Sequence, residues 1–437
     1  MIERVIDAAR ERTDAADGLW HRVERTSVAF EAGRLKACGI SEAAGINLRI
    51  LKDGRVGIAG TTAVEPADLL DRAIASAALG EVVPLQFPPA TPLPPIVTQS
   101  KAAADASLDQ LIAIGAELVG RLAREGCQVN VSIEREAVET RLMNTAGAAA
   151  AYPATTVAVS VDLTRFAGDD VLLVYDGCSG TELPQPARLD ALVASIERRF
   201  VAALRVVEPP VGSLPVLFTP SGLAALLLPL EQGLSGKAVL QGISPLGDKV
   251  GRRLFDERFS IVDDPLVAGR PSSRPVDDEG VPSRALPLVA GGEVRRFVYD
   301  LETAARAKTV STGHGTRGTF SKPRIGYSNL IVGPPPSRGS SDSFGGGLLS
   351  GVKDGLLVDD LIGVGQGNVI GGAFSHPVAL AYRIQDGAIT GRVKDAAVAG
   401  NVYELLQRIG GFGSDGRWLG NRWSSSLLVE GVSVARR

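Results

Sequence analysis

The chain offers three imidazoles, His21, His314 and His376. No two stand at the i, i+3 to i, i+5 spacing that turns ring nitrogens onto one ion, so no histidine-rich metal site is indicated. Cys38, Cys127 and Cys178 are odd in number, far apart and without a CxxC pair. They point to neither a zinc knuckle nor a disulfide framework, and read as half-buried thiols in a reducing compartment. Ser221, in TPSGL, lacks the GxSxG elbow of a hydrolase nucleophile. Two GxGxxG matches occur, GHGTRG (313–318) and GFGSDG (411–416). A dinucleotide site needs a strand before such glycines and a helix after them, so that free N–H groups meet the pyrophosphate. Pro323 bars a helix after the first, and WLGNRWSS follows the second; both read as turn glycines.

One further stretch asks a question. Residues 223–237, LAALLLPLEQGLSGK, run through leucines to Pro229 and then turn polar at Glu231 and Gln232. They are either a plain buried helix or a site from which the chemistry has been removed.

The elements that hold these residues follow from periodicity. MIERVIDAARERTDAADG is amphipathic at helical spacing, and carries acids and arginines where a secretory signal would be apolar. VERTSVAFEAGRLKACGI and INLRILKDGRVGIAGTT alternate as antiparallel strands, with His21 read as a surface residue at the strand entry. Pro66 opens a helix at PADLLDRAIASAAL. PLQFPPATPLPPIV reads as an extended, exposed connector. Ser107 caps a helix at SLDQLIAIGAELVGRLARE. QVNVSIERE and TTVAVSVDLTRF are strands, and RLDALVASIERRFVAAL is a third long helix. VVEPPVGSLP reads as a linker. Beyond it lie short strands and Gly turns, with helices expected at 224–231, 301–308 and 402–409, and a mobile loop at GPPPSRGSSDSFGGG. The fold class is therefore α+β: an N-terminal mixed α/β domain over 1–205, then a β-rich, antiparallel, barrel-like domain over 206–437. His376, before a proline in FSHPVALAY, is expected in extended backbone.

Composition narrows the partners. With 45% hydrophobic and 22% charged residues the chain is globular rather than disordered. Lys+Arg at 46 against Asp+Glu at 49 leaves −3, so no basic field exists for nucleic acid or an anionic membrane. The uncharged 209–230 stretch contains five prolines, which oppose a spanning helix. A cytoplasmic location is expected.

The block IVDDPLVAGRPSSRPVDDEGVPSRALPLVAGGEVRRFVYD (261–300) resembles the TldD/PmbA family. So do TGHGTRGTFSKPRIGYSNLIV (312–332), YRIQDGAITGRVKDAAVAGNVYELLQRI (382–409) and SSSLLVEGVSVA (424–435). The resemblance implies two branches that work together. The TldD-like branch is a zinc peptidase with His-Glu-x-x-x-His on a helix and a Cys near the C-terminus. The PmbA-like (TldE) branch lacks these ligands. Matching GLSG (233–236) to the family's Gly-Leu-x-Gly puts Leu227, Leu228 and Gln232 at the His, Glu and His positions. An aliphatic chain offers no lone pair and an amide is a poor zinc ligand. The chain also has no Cys after Cys178.

The resemblance therefore implies a PmbA/TldE-like subunit that binds no metal and is not catalytic by itself. Its partner would be a TldD-like metallopeptidase supplying the zinc in a heterodimer, and its substrate an unfolded peptide held by strand addition. Peptide contacts are expected at GHGTRG (His314, Gly315, Arg317) and at GVGQGNVIGG with the following strand (Gly371, Gly372, His376). Two other readings stay open: a homodimeric binding or scaffold protein without a peptidase partner, and a repurposed hydrolase using His314 or His376.

Overall fold

The computed structural model describes residues 2–63, 68–334 and 344–437. The expected Pro66 helix start lies outside them, as do residues 335–343 of the expected mobile loop.

Helix α1 (Ile2–Arg12) buries Ile2, Ile6 and Ala9, one turn apart. It ends earlier than the amphipathic pattern suggests, because Thr13 Oγ1 donates to Ala9 O (2.7 Å) and Asp14 N turns to Leu51 O (2.8 Å). The chain then enters β1 (Ala15–Glu31), followed by β2 (Arg34–Lys52) and β3 (Arg55–Thr61). Both hairpin turns, Ala32–Gly33 and Asp53–Gly54, have positive φ at both residues, the hand that suits twisted strands. Helix α2 (Leu69–Ala78) packs on β3. Helix α3 (Leu108–Leu122) starts with a full capping box: Gln110 N donates to Ser107 Oγ (3.2 Å) and Ser107 N to Gln110 Oε1 (2.9 Å). β4 (Cys127–Asn144), β5 (Ala149–Ala167) and β6 (Asp170–Gly180) complete an antiparallel sheet in the order β3-β2-β1-β4-β5-β6. Helices α3 and α4 (Pro186–Ala203) cover one face.

The second half is built on β7 (Gly212–Phe218), β8 (Asp354–Leu361), β9 (Ala373–Gln385), β10 (Ala396–Asn401) and β11 (Leu427–Arg436). They pair in the order β8-β7-β11-β10-β9, and β9 returns to β8, so five strands close into a barrel. Only β7 and β8 run parallel within this ring. A second sheet of short strands, which include Ile261–Asp263, Leu330–Val332 and Arg422–Ser424, lies beside it. Helix α5 (Ala224–Gly233) is buried between the two. The fold class is the α+β arrangement that the pattern predicted.

Apolar contact is continuous across both halves. Val129, Val161 and Val174 of the first sheet meet Ile196 and Phe200 of α4, and these meet Leu217, Leu357 and Tyr382 of the barrel. Tyr382 Oη donates to Arg199 O at 2.8 Å, so its polar tip is satisfied.

Several local expectations are corrected. VVEPPVGSLP is not simply a linker, since β7 begins at Gly212 and becomes an internal barrel strand. Pro215 is tolerated there because the β7–β11 register shifts between Val429 and Val432. The proline-rich connector is extended but not exposed throughout: Leu85 and Phe87 are buried, and the Arg49 guanidinium lies 5.0 Å from the Phe87 ring centre. Cys38 is exposed, whereas Cys127 and Cys178 are half-buried. His21 sits within β1, half-buried, with Nδ1 3.2 Å from Thr140 Oγ1. His376 is extended within β9, as its proline neighbour required.

Candidate functional site

Helix α5 carries the three positions at which the family resemblance places metal chemistry. Its backbone is pinned on two sides. Tyr327 Oη donates to Glu231 O (2.6 Å), and Tyr403 Oη lies 3.2 Å from Pro229 O and 2.9 Å from Ile370 O. The Glu231 carboxylate also accepts from Arg422 Nε and Nη2, at 2.6 and 2.9 Å. On a regular helix, residues i and i+5 diverge by about 140°, and Ala224–Gly233 is α-helical throughout. Leu227 is therefore buried, near Tyr327, Leu330 and Val332. Leu228 is half-buried on a different face, and Gln232 is exposed. Leu228 and Gln232, four residues apart, share a helix face from which Leu227 is turned away, and two alkyl groups with an amide do not fit a zinc ion. Among the described residues no group of three His, Cys, Asp or Glu could hold a metal.

Leu228 walls a cleft of about 560 Å³ together with Gly363–Val369 and Ala373–Pro377. Gln366, Asn368, Ser375 and His376 supply its neutral polar groups, and Arg437 adds a positive charge. Its strand wall is half-open. Residues 373–377 of β9 pair with β10 on one side; on the other, the β8–β9 ladder ends at Val378 and Ile362 N donates to Pro377 O (2.9 Å), which leaves 373–376 open. The His376 ring stacks on Phe374 (centroids 5.7 Å apart), and burial pushes its pKa down, favouring the neutral imidazole.

The structure separates the two sets of expected contact residues. His376 lies in the cleft. Gly371 is half-buried nearby, its carbonyl accepting from Asn401 Nδ2 at 3.3 Å. Gly372 has φ 77°, and a Cβ there would fall 2.6 Å from the Tyr403 ring, so its role is to let that ring close in. His314, Gly315 and Arg317 lie elsewhere, in the interior. His314 Nδ1 lies 2.9 Å from Thr312 Oγ1, and Nε2 lies 3.0 Å from Asp263 Oδ2. Gly315 N donates to Asp277 Oδ2 (2.8 Å), and Arg317 Nη2 lies 2.8 Å from Asp17 Oδ2. Substrate could not reach these three without opening the core.

What the GHGTRG segment joins was invisible in the sequence. Arg49 of β2 donates twice to Asp17 of β1 (2.9 Å each) and once to Glu279 (2.6 Å). Glu279 Oε2 accepts from Leu301 N at 2.7 Å, at the start of helix α6 (Leu301–Arg306). Burial pushes Glu279 up to about 7, against the pull of Arg49. A second buried network joins Asp176 of β6, Arg199 of α4 and Asp359 of β8, with Arg417 on Asp176 at 2.7 Å. The DDEG turn was legible as an acidic turn, but its partner Arg49 is 230 residues away.

The comparisons with known proteins follow this geometry. A profile described as PmbA/TldA metallopeptidase C-terminal domain matches residues 211–436, and one described as PmbA/TldA metallopeptidase domain 1 matches residues 16–78. A metalloprotease of Methanothermobacter thermautotrophicus is 25% identical over 418 residues, covering 93% of this chain and 89% of that one. A metalloprotease PmbA homolog of Haemophilus influenzae is 24% identical, covering 54% of this chain and 49% of the other. A TldD homolog of the same organism is 29% identical, covering 48% and 43%. The crystal structure of TldE from Thermococcus kodakarensis superposes with a TM-score of 0.89 over 99% of both chains, at 23% identity. Fold and sequence together place the molecule in a class of proteins whose domain profiles are described as metallopeptidase domains. The chain belongs to the TldD/PmbA family, and it is PmbA/TldE-like.

Proposed function

We propose that this chain is a non-catalytic subunit of a metallopeptidase complex that processes unfolded peptides, with zinc supplied by a TldD-like partner. The observation that carries this reading is helix α5. The three positions hold two alkyl groups and an amide, and the two that would be ligands, Leu227 and Gln232, lie about 140° apart, one buried and one exposed. The missing glutamate also removes the base that would activate water. The Leu228 cleft is where this subunit meets peptide. The open side of Ala373–His376 accepts an extended backbone by strand addition, which is tolerant of sequence because main-chain hydrogen bonds give the affinity. The neutral His376 and the side chains of Gln366 and Asn368 add hydrogen bonds, and the Arg437 guanidinium favours an acidic group on the peptide.

The test is reconstitution. The chain alone is expected to be inactive on unstructured peptides, and the mixture with an HExxxH-bearing relative active. Phe374→Pro, which leaves α5 untouched, is expected to raise KM for the complex. Peptide cleavage by the isolated chain, lost on Gln232→Ala, would overturn the reading.

A further inference from the structure

A separate cavity of about 230 Å³ lies where β6 hands the chain on to α4, and it shares no residue with the Leu228 cleft. Its floor is apolar, made by Val157 and Val159 of β5 with Pro184 beside them. Arg188 and Glu182 stand exposed at its rim, and among the described residues neither makes an ion pair. Arg188 reaches the Cys178 sulfur, but burial pushes that thiol up, so no thiolate offsets the guanidinium at neutral pH. Behind the wall lies a second arginine without a counter-charge. Arg270 is 8% exposed and donates only to neutral oxygens, those of Ser179 O (2.8 Å), Ser179 Oγ (3.4 Å) and Gly420 O (2.6 Å). Its Nε has no partner among the described residues. Burial, and after it the charge of Arg188, pushes Arg270 down to about 10. Helix α4 also starts here without a side-chain cap at Gln185 and with no acid in its first turn, so its positive end is bare.

We propose that this cavity binds a free α-amino acid with an apolar side chain, held as its zwitterion. Its carboxylate meets Arg188 and the start of α4, its ammonium meets Glu182, and its side chain lies on Val157 and Val159. Each assignment answers a feature that the chain leaves uncompensated. Two guanidiniums without counter-ions and a bare helix start call for an anion, and the planar fork of Arg188 matches a carboxylate. Glu182 is the cavity's one carboxylate among the described residues. It disfavours a phosphate or a dicarboxylate and suits a ligand that also carries a positive group. The apolar floor asks for a hydrocarbon body, because burying one removes its surface from water. The volume lies below the ~300 Å³ at which pockets for drug-sized ligands begin, which sets the scale at a single amino acid.

The inference concerns the chain by itself and depends neither on the Leu228 cleft nor on a peptidase partner. Its test is isothermal titration calorimetry of the full chain with L-leucine. Three further probes each lack one feature: isocaproate the ammonium, isoamylamine the carboxylate, and glycine the apolar body. Leucine is expected to bind with a Kd below about 1 mM, and each of the other three about tenfold or more weaker. Arg188→Ala and Glu182→Gln are each expected to weaken leucine by a similar factor. Both side chains are exposed, so an unchanged urea midpoint excludes misfolding as the cause. Leucine is also expected to slow alkylation of Cys178 by iodoacetamide, read peptide by peptide, without slowing that of the exposed Cys38. No binding of leucine at about 10 mM would overturn the proposal. So would binding unchanged by Arg188→Ala, isocaproate bound as tightly as leucine, or a Cys178 that leucine leaves unprotected.

Discussion

Arg49→Met is the sharpest perturbation of what locks the two halves together. Arg49, Asp17 and Glu279 are each no more than 2% exposed, and the arginine is bonded to both carboxylates. Removing one partner of a buried ion pair costs ~3–5 kcal/mol, because the remaining charge is left without compensation. Two features pull the value toward the lower bound. Arg317 still lies 2.8 Å from Asp17, and Glu279, already raised to about 7, escapes by taking a proton. Taking it is cheaper in acid, by at most ~1.4 kcal/mol per pH unit. The expected loss is therefore ~3 kcal/mol at pH 8 and about 1 kcal/mol less at pH 6. Urea unfolding followed by tryptophan fluorescence reads both halves, since Trp20 lies in β1 and Trp418 and Trp423 lie in the small sheet. A loss below ~1 kcal/mol, or an equal loss at both pH values, would refute the reasoning.

Other outcomes follow from the same contacts. Glu279 has a folded pKa above its ordinary value, so its contribution is fully present below about 4.5 and is lost as pH rises toward and through about 7. The shift corresponds to roughly 3 kcal/mol; Glu279→Gln should flatten that decline in urea titrations, whatever it does to the absolute level. Leu227→Ala should cost ~2–5 kcal/mol by leaving a cavity beside Tyr327 and Val332, seen as a lower urea midpoint, and should leave zinc content unchanged. Ser107→Ala should cost ~1 kcal/mol by removing one arm of the α3 capping box, measurable in the same titration.

What could be read in advance was what neighbours decide. Ser107 with Gln110 three residues on, the Asp53–Gly54 turn between alternating runs, and the α4 periodicity each carry their structure within a few residues. The barrel does not. β7 must find β8 about 140 residues later and β11 more than 200 residues later, and the prolines beside β7 spoke for a linker because nothing local reveals the register shift that admits Pro215. At the candidate site, side-chain chemistry was legible and direction was not. Leu227, Leu228 and Gln232 could be seen to lack zinc donors, but only the intact helix shows Leu227 and Gln232 turned apart. His314 stood in a glycine-rich loop that looked open, whereas Asp263 and Tyr327 enclose it. Buried charge networks are the least legible class, since Arg49 and Glu279 each look like an ordinary surface residue until the two halves meet.

The central claim, that this subunit brings no zinc of its own, is tested most directly by elemental analysis of the purified chain after exposure to excess zinc and gel filtration. The account predicts a trace amount, unchanged by Gln232→Ala. One zinc per chain that disappears with that substitution would contradict it.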